Sequence, residues 1–317
     1  MTRGTPPRVT VLAGGIGAAR FLRGLVRAVP PARVTVIGNT GDDDEFFGLH
    51  VSPDLDTVLY TLTGQSDPVR GWGVRGDTFH ALSALGDLGF PTWFRLGDRD
   101  LTMHILRTNS LRAGLPLSRV TRFLGWMHGL PVRLLPMTDD RVRTFIHTAR
   151  GRLPFQYYLV GTRARGRVHR IELAGATRAR PAPGVIGALR GAGAIIVAPS
   201  NPLVSIDPIL AVRGVRRVLA RRQTRVAAIS PLVGGRAVKG PLHRMLRGLG
   251  LEVSPRGVAR LYRGIVGLFV VDRADAAWAP RIEALGMRVL VTDTLMPTPA
   301  RAWRLAAAVL HALDAAR

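Results

Sequence analysis

Acidic side chains crowd into one short stretch of this chain: Asn39-Thr40-Gly41-Asp42-Asp43-Asp44-Glu45, and then Ser52-Pro53-Asp54-Leu55-Asp56-Thr57. Four consecutive carboxylates repel one another unless a cation or a group of arginines offsets them; otherwise they form a solvated acidic loop. Mg2+ is held by one or two protein carboxylates, with water and substrate phosphate filling the rest of its shell. Asp54 and Asp56 fall in the first turn of a helix that Ser52 is placed to cap and Pro53 to open, where the helix dipole favours anions. Capping explains one of the two. The second, so soon after the acidic loop, suggests a shared metal or substrate pocket.

Gly14-Gly15-Ile16-Gly17 offers the opposite chemistry. Glycines let a backbone approach a phosphate, and the helix that follows points N–H groups at it. The run is neither a full Gly-x-Gly-x-x-Gly fingerprint nor a Walker A loop, and a tight strand-to-helix turn would need the same residues. Ala19 or Arg20 stands where a third fingerprint glycine would be, which argues against a dinucleotide oxidoreductase. Three later loops carry polar groups suited to base, ribose or diphosphate contacts: Arg95-Leu-Gly-Asp98-Arg99-Asp100, Pro199-Ser200-Asn201-Pro202 and the 234–240 run that holds Lys239. Ser52, Ser110, Ser200 and Ser230 lack a nucleophile-elbow setting. His50, His80, His104 and His147 lack metal-ligand spacing and read as structural histidines. An absent nucleophile suits metal-assisted phosphoryl or diester transfer, which needs positioning and charge neutralisation rather than covalent catalysis.

These loops sit at the ends of strands. Val9–Leu12 reads as a buried strand, 18–28 as an amphipathic helix and Val34–Ile37 as the next strand, the opening of a doubly wound sheet. Gly38 to Pro53 reads as a long loop. Helical periodicity recurs at 77–89, 98–113 and 117–128. Short strand candidates from 131 to 182 predict a β-rich insertion. Strands at 194–197, 226–229, 265–271 and 289–291, and a closing helix over 300–316, restore the α/β rhythm. The expectation is one α/β domain over 1–317: a mainly parallel, Rossmann-like core at 9–130 and 183–317 with the small insertion between. Ligands of such sheets bind beyond the carboxyl ends of the strands.

With 47% hydrophobic residues the chain can bury a sizeable core, and no apolar run approaches the roughly 20 residues of a spanning helix. No secretory leader is evident in Met1–Ala13, so a cytoplasmic protein without membrane contact is expected. The absence of cysteine excludes disulfides and thiolate chemistry. Lys+Arg is 45 against Asp+Glu 21, a net charge of +24, which attracts polyanions. The basic residues are dispersed and aromatics are 6%, which favours an anionic small substrate over nucleic acid.

The ordered phrases of the chain carry a resemblance. Ala13-Gly-Gly-Ile-Gly17, Asn39-Thr-Gly-Asp-Asp43, Ser52-Pro-Asp-Leu-Asp-Thr-Val-Leu-Tyr60, Gly76-Asp-Thr-Phe79, Leu96-Gly-Asp-Arg-Asp100, Leu135-Pro-Met-Thr-Asp-Asp140, Phe155-Gln156, Pro199-Ser-Asn-Pro202, Lys239-Gly-Pro241 and Asp293-Thr-Leu-Met296 resemble, in order, the 2-phospho-L-lactate transferases (CofD family) of coenzyme F-420 biosynthesis. The resemblance implies a Mg2+-dependent enzyme. It would move a phospholactyl or phosphoenolpyruvyl group from a guanosine diphosphate-linked donor to the deazaflavin 7,8-didemethyl-8-hydroxy-5-deazariboflavin, with release of GMP. It implies Asp43 and Asp56 as metal-side and catalytic carboxylates. Asp54, Asp56, Arg95, Asp98 and Arg99 would lie on the acceptor side, and Gly14, Gly15, Gly17, Ser200, Asn201 and Lys239 on the nucleotide side. A homodimer is implied as well. Ile16 departs from the Gly-Gly-Thr-Gly form, which removes a hydroxyl from the phosphate loop, and Asp44 and Glu45 stand where apolar or aromatic residues are expected. The alternative is a nucleotide-sugar-binding regulator of related fold without transferase activity.

Overall fold

Val9–Ala13 is buried at every position, with Val9, Val11 and Ala13 facing one apolar cluster and Leu12 the other. A strand that is apolar on both faces belongs inside a parallel sheet covered by helices. The computed structural model describes residues 7–315 and places it there; residues 1–6, the beginning of the sequence considered for a leader, and residue 316, the end of the expected closing helix, lie outside the described residues. In chain order the strands are β1 (Val9–Ala13), β2 (Val34–Gly38), β3 (Asp44–Phe46), β4 (Leu49–Val51), β5 (Arg133–Pro136), β6 (Arg143–Thr148), β7 (Gly151–Pro154), β8 (Arg170–Ala174), β9 (Ala194–Val197), β10 (Val226–Ile229), β11 (Leu232–Val233), β12 (Arg236–Ala237), β13 (Leu268–Asp272) and β14 (Arg288–Thr292). The helices are α1 (Gly15–Ala28), α2 (Pro53–Leu62), α3 (His80–Asp87), α4 (Asp98–Arg112), α5 (Leu117–Met127), α6 (Val185–Gly191), α7 (Asp207–Ala211), α8 (Val215–Ala220), α9 (Leu242–Gly248), α10 (Pro255–Leu261), α11 (Ala279–Glu283) and α12 (Pro299–Asp314).

Seven strands form one parallel sheet in the order β14-β13-β10-β9-β1-β2-β5. This is the doubly wound α/β fold that the sequence implies. On one face Phe21, Leu22 and Leu25 of α1, Leu55, Val58 and Leu59 of α2, and Leu305, Ala306 and Val309 of α12 cover the sheet. On the other, Val185 and Leu189 of α6, Val215 and Leu219 of α8, and Val258 and Ala259 of α10 do so. The chain runs outward from β1 through β2 to β5, and outward from β9 through β10 and β13 to β14. The two directions part between β1 and β9, which pair directly from Val9↔Ala194 to Leu12↔Val197. That gap is the topological switch where ligands of such sheets bind.

Three local features differ from the sequence expectation, the first being Tyr157–Gly161, a helical turn where a strand was expected at Gln156–Val160. Arg133–Pro136 joins the central sheet beside β2 (Thr35↔Arg133 to Gly38↔Pro136), because Leu134 and Leu135 face opposite clusters as in every inner strand. The antiparallel β7-β6-β8 sheet begins only at Arg143. The stretch expected as a loop from Gly38 to Pro53 contains the hairpin β3–β4, closed by Phe47 and Gly48, which both take positive φ (52° and 75°) as a two-residue hairpin turn requires.

Helices α1 and α12 cross at Gly24, where a Cβ would stand 2.1 Å from the carbonyl carbon of Ala302. Overpacking of this kind costs about 1–3 kcal/mol. Gly24→Ala is therefore expected to lower the unfolding free energy by that amount, seen as a lower urea midpoint with an unchanged slope. An unchanged midpoint would show that the two helices separate freely.

Candidate active site

The loops after β1 and β9 touch at the switch. The Gly14 N–H donates to Ser200 Oγ (3.3 Å), and a Cβ on Gly17 would meet the Pro199 carbonyl oxygen at 2.2 Å. The Gly15 N–H, at φ +70°, donates to Asp54 Oδ1 at 2.6 Å. A carboxylate of the chain itself thus occupies the start of α1, where a helix dipole favours an anion. Packing already accounts for two of the glycines: a Cβ on Gly14 would strike Asp54 Oδ2 (2.5 Å) and the Ser205 Cβ (2.6 Å).

Asn39, completely buried behind β2, ties the acidic residues together. Its Nδ2 lies 2.9 Å from Asp54 Oδ2, 3.1 Å from Asp42 Oδ1 and 3.2 Å from the Val204 carbonyl oxygen, while its Oδ1 accepts from the Gly41 N–H (2.8 Å). Gln156 Nε2 donates to the other oxygen of Asp42 (3.0 Å). Asp43 Oδ2 accepts from Ser52 Oγ (2.7 Å) and lies 3.1 Å from His50 Nε2. Ser52, expected to cap α2 with its hydroxyl, thus spends it on Asp43, and no side-chain bond caps that helix.

Asp56 is held from the far side. Arg107, 2% exposed on α4, donates Nη1 to Asp56 Oδ2 at 3.0 Å and Nη2 to Asp56 Oδ1. Arg107 Nη1 also lies 3.2 Å from His104 Nδ1; His104 Nε2 approaches Asp100 Oδ1 (3.3 Å), and the Tyr60 hydroxyl donates to the same oxygen at 2.6 Å. Asp43 and Asp56 both feel the Arg107 charge, so the two loops converge as the sequence suggested. Sequence reasoning passed over Arg107; His50 and His104, read as structural histidines, do have partners here, His50 on Asp43 and His104 beside Arg107 and Asp100. Arg107 lies 51 residues from Asp56 with no local signal to mark it; an arginine at that point of α4 became meaningful only with the fold.

Burial pushes the Asp42 carboxyl well above the usual carboxylate range, and the charges of Asp54 and Asp43 push it the same way. Burial also raises Asp43, against hydrogen bonds from His50 and Ser52. Asp54 is pushed up to about 6 by burial and by the Asp43 charge, with the Asn39 and Gly15 hydrogen bonds opposing. The acids at the hairpin are covered differently: Arg143 pairs with Asp44, and Arg141 reaches Glu45 at 4.0 Å. Arginines thus offset the outer acids, and Arg107 offsets Asp56. Asp42, Asp43 and Asp54 have no guanidinium of their own among the described residues.

One atom bears on a metal. Asp43 Oδ1 is buried and has no hydrogen-bond partner. Among the described residues no group of three or more His, Asp or Glu side chains is set to hold a metal alone. A hard cation that takes one protein carboxylate and completes its shell with phosphate and water fits Asp43. Asp56 fits less well, since Arg107 engages both of its oxygens.

The remaining sequence candidates take varied places. Asp98 accepts from Thr78 Oγ1 (2.5 Å) and the N–H groups of His80 and Ala81, and so caps α3; Asp77 caps α4 in return through Arg99 N (2.8 Å) and Asp100 N (3.1 Å). Arg95 lies over the Phe79 ring at 4.3 Å, with Arg70 near the same ring at 5.1 Å. Arg99 lines a cavity of about 370 Å³ with Tyr60, Met103 and His128. Asn201 caps the turn after it through Leu203 N (3.0 Å). Lys239 Nζ lies 3.4 Å from the Arg70 carbonyl oxygen; burial and the charge of Arg20, on α1, lower its pKa.

An open α/β sheet with a buried carboxylate nest at its switch point defines a ligand-binding protein of the doubly wound class. The comparisons narrow this. The family model for 2-phospho-L-lactate transferase CofD matches residues 9–293. The chain is 47% identical to a phosphoenolpyruvate transferase of Streptomyces coelicolor, over 91% of this chain and 92% of that one. It is 46% identical to the protein of that name in Streptomyces griseus (91% and 93%), and 37% identical to a 2-phospho-L-lactate transferase of Methanosarcina mazei (95% and 99%). A solved structure from Bacillus halodurans, of the UPF0052 family, shares the fold at a TM-score of 0.63 and 17% identity, over 95% of this chain and 98% of that one. The chain belongs to the CofD 2-phospho-L-lactate transferase family.

The Asp54 shift makes a prediction for the metal-free protein. Between the ordinary value of 3.8 and the folded value of about 6, the folded state keeps a proton that the unfolded chain has released. Stability therefore falls as pH rises through that window and stays lower above it. Asn cannot ionise, so the stability of Asp54→Asn relative to wild type is expected to improve by about 2 kcal/mol between about pH 4.5 and about pH 7.5. Urea titrations at the two pH values check this; a difference independent of pH would place the Asp54 carboxyl in the ordinary range.

Proposed function

We propose that the protein transfers a phosphoenolpyruvyl or phospholactyl group from a guanosine diphosphate-linked donor to the ribityl hydroxyl of 7,8-didemethyl-8-hydroxy-5-deazariboflavin, with release of GMP, in coenzyme F-420 biosynthesis. The observation that carries the reading is the family match over residues 9–293, on a fold whose switch point holds the Asp42, Asp43, Asp54 and Asp56 cluster. The two Streptomyces relatives, at 46–47% identity, are named for phosphoenolpyruvate and the 37% relative for phospholactate, which supports the enolpyruvyl donor.

The acceptor hydroxyl oxygen forms a bond to the donor's outer phosphorus, the bridging P–O bond to GMP breaks, and the hydroxyl proton leaves. Asp56, fixed in orientation by Arg107, is the residue we assign to hold that hydroxyl. Asp43 Oδ1 is the atom that fits Mg2+, which when bound neutralises charge on the bridging oxygens. Lys239, near Arg20 and sharing Gly71 as a neighbour with Ile16 of α1, suits the donor diphosphate. Arg95 and Arg99 suit the acceptor side. No helix among the described residues is long and apolar enough to cross a membrane. A cytoplasmic homodimer is the state we assign to the enzyme.

Mass spectrometry of the products from deazaflavin, Mg2+ and each donor tests the reading. A product heavier by the phosphoenolpyruvyl group, with GMP, is expected; no product from any donor, with deazaflavin fluorescence unaffected by the protein, would favour a regulator. Asp43→Asn is expected to lose both Mg2+-dependent turnover and the rise in Tm that Mg2+ produces. Asp56→Asn is expected to keep the Mg2+ response and lose about 100-fold or more in kcat. Near-wild-type turnover in either variant would remove that residue from the mechanism.

A further inference from the structure

On the outer side of the antiparallel subdomain, the turn after residue 161 faces helix α9 across a depression of about 640 Å³. Arg165 and Arg167 line one wall, Arg244 and Arg247 the other, with Gly166 and Gly248 between them. No acid lines it. Among the described residues none of the four arginines forms an ion pair; Arg167 makes one long hydrogen bond, to the Gly248 carbonyl oxygen at 3.5 Å. Some exposed arginines elsewhere do pair: Arg152 and Arg170 with Glu172, Arg256 with Glu252, Arg216 with Asp207. Four exposed guanidiniums around one concavity repel each other, and water and salt screen that repulsion only in part.

The backbone pays for that arrangement. Arg163 and Ala164 both hold positive φ, 55° and 52°, and Gly166 holds 103°. Non-glycine residues in that region are strained and persist only where surrounding structure fixes them. The fixing contacts are present. Ala164 is buried with Tyr158, Val168 and Met245, its N–H donates to the Tyr158 carbonyl oxygen at 2.8 Å, and Thr162 Oγ1 donates to that same oxygen at 2.6 Å. The turn is clamped from below in the one shape that presents Arg165 and Arg167 opposite α9, where Arg244 and Arg247 are three residues apart on one helical face.

We propose that this depression is a second anion site, separate from the carboxylate nest, for a ligand bearing two or more linked phosphates. Guanidinium forks bind phosphate oxygens in pairs, and four of them match a compact polyanion rather than a single charge. No aromatic side chain lines the depression, so recognition falls on the phosphates and not on a base. The ligand class therefore covers inorganic diphosphate, triphosphate and the phosphate tail of a nucleotide.

Calorimetric titration of the full chain with inorganic monophosphate, diphosphate, triphosphate and GTP, in about 0.15 M salt, tests the site. The proteins are wild type, Arg244→Gln/Arg247→Gln, and Arg165→Gln/Arg167→Gln on the opposite wall. Saturable triphosphate binding is expected in wild type, stronger than diphosphate and much stronger than monophosphate. About tenfold or greater loss is expected in each double variant, with unchanged Tm and unchanged transfer activity. GTP affinity close to that of triphosphate, lost in the same variants, supports phosphate-centred recognition. Triphosphate binding equal in all three proteins overturns the proposal. So does a monophosphate affinity equal to that of triphosphate, or saturable binding of a single-stranded RNA oligomer that triphosphate does not displace.

Discussion

Four carboxylates are buried around a single buried guanidinium that pairs with only one of them, and most of the local structure answers to that imbalance. Asp42, Asp43, Asp54 and Asp56 are each 9% exposed or less, and Arg107 at 2% is the one arginine inside the cluster. A charge buried without a partner is expensive, so several nearby donors are turned onto the remaining acids. Asn39 serves two carboxylates, Gln156 and Ser52 one each, and the first N–H of α1 another. Even so, Asp42, Asp43 and Asp54 keep raised proton affinities. Hydrogen bonds alone do not settle the cluster, which is the condition of a site built to receive something positive.

The same imbalance explains several small residues. The loops after β1, β2 and β9 have to close to hydrogen-bond distance around Asn39 and Asp54. Gly14 leaves room for Asp54 and Ser205, and Gly17 for the Pro199 carbonyl. Gly38 does the same for Leu55, whose Cδ2 would stand 2.4 Å from a Cβ there. Leu55 sits between the two first-turn acids, so seating it against β2 aims Asp54 and Asp56 toward the sheet's end. Core packing and site geometry are here one constraint: the apolar residue of the Pro-Asp-Leu-Asp run anchors what its neighbours present.

Legibility followed sequence distance. The inner strands could be read because their apolar runs are continuous, as at 194–197 and 226–229, and the acidic clusters because their repulsion is local and visible. Asp43 and Asp56 could be paired for that reason, but the contact between Asp54 and the Gly15 N–H was not foreseen, since the two had been set on opposite sides of the site. The partners of those groups were not visible. Arg107 and Gln156 reach the acids from 51 and 114 residues away, and nothing in periodicity or spacing marks one arginine among 45 basic residues. Asp98 shows the reverse error. Its place in Leu-Gly-Asp-Arg-Asp suggested a substrate contact, whereas it and Asp77 cap each other's helices. Cap and ligand site use the same residue type at the same helix end, and only the donor set tells them apart.

Charge on the larger scale completes the account. An anionic donor approaching four acids would be repelled, yet the chain carries +24 overall. The long-range field draws the donor in, but it decays within about 8 Å at physiological salt and cannot decide the last contacts. Those depend on fixed cations at the rim. Lys239 lies against Gly71 and the Arg70 carbonyl, feels Arg20, and shares Gly71 as a neighbour with Ile16 at the start of α1. Asp54 already holds the Gly15 N–H that a phosphate would seek. An anion binding at this end would have to take its contacts at Lys239 or through a cation, rather than at the N–H of Gly15.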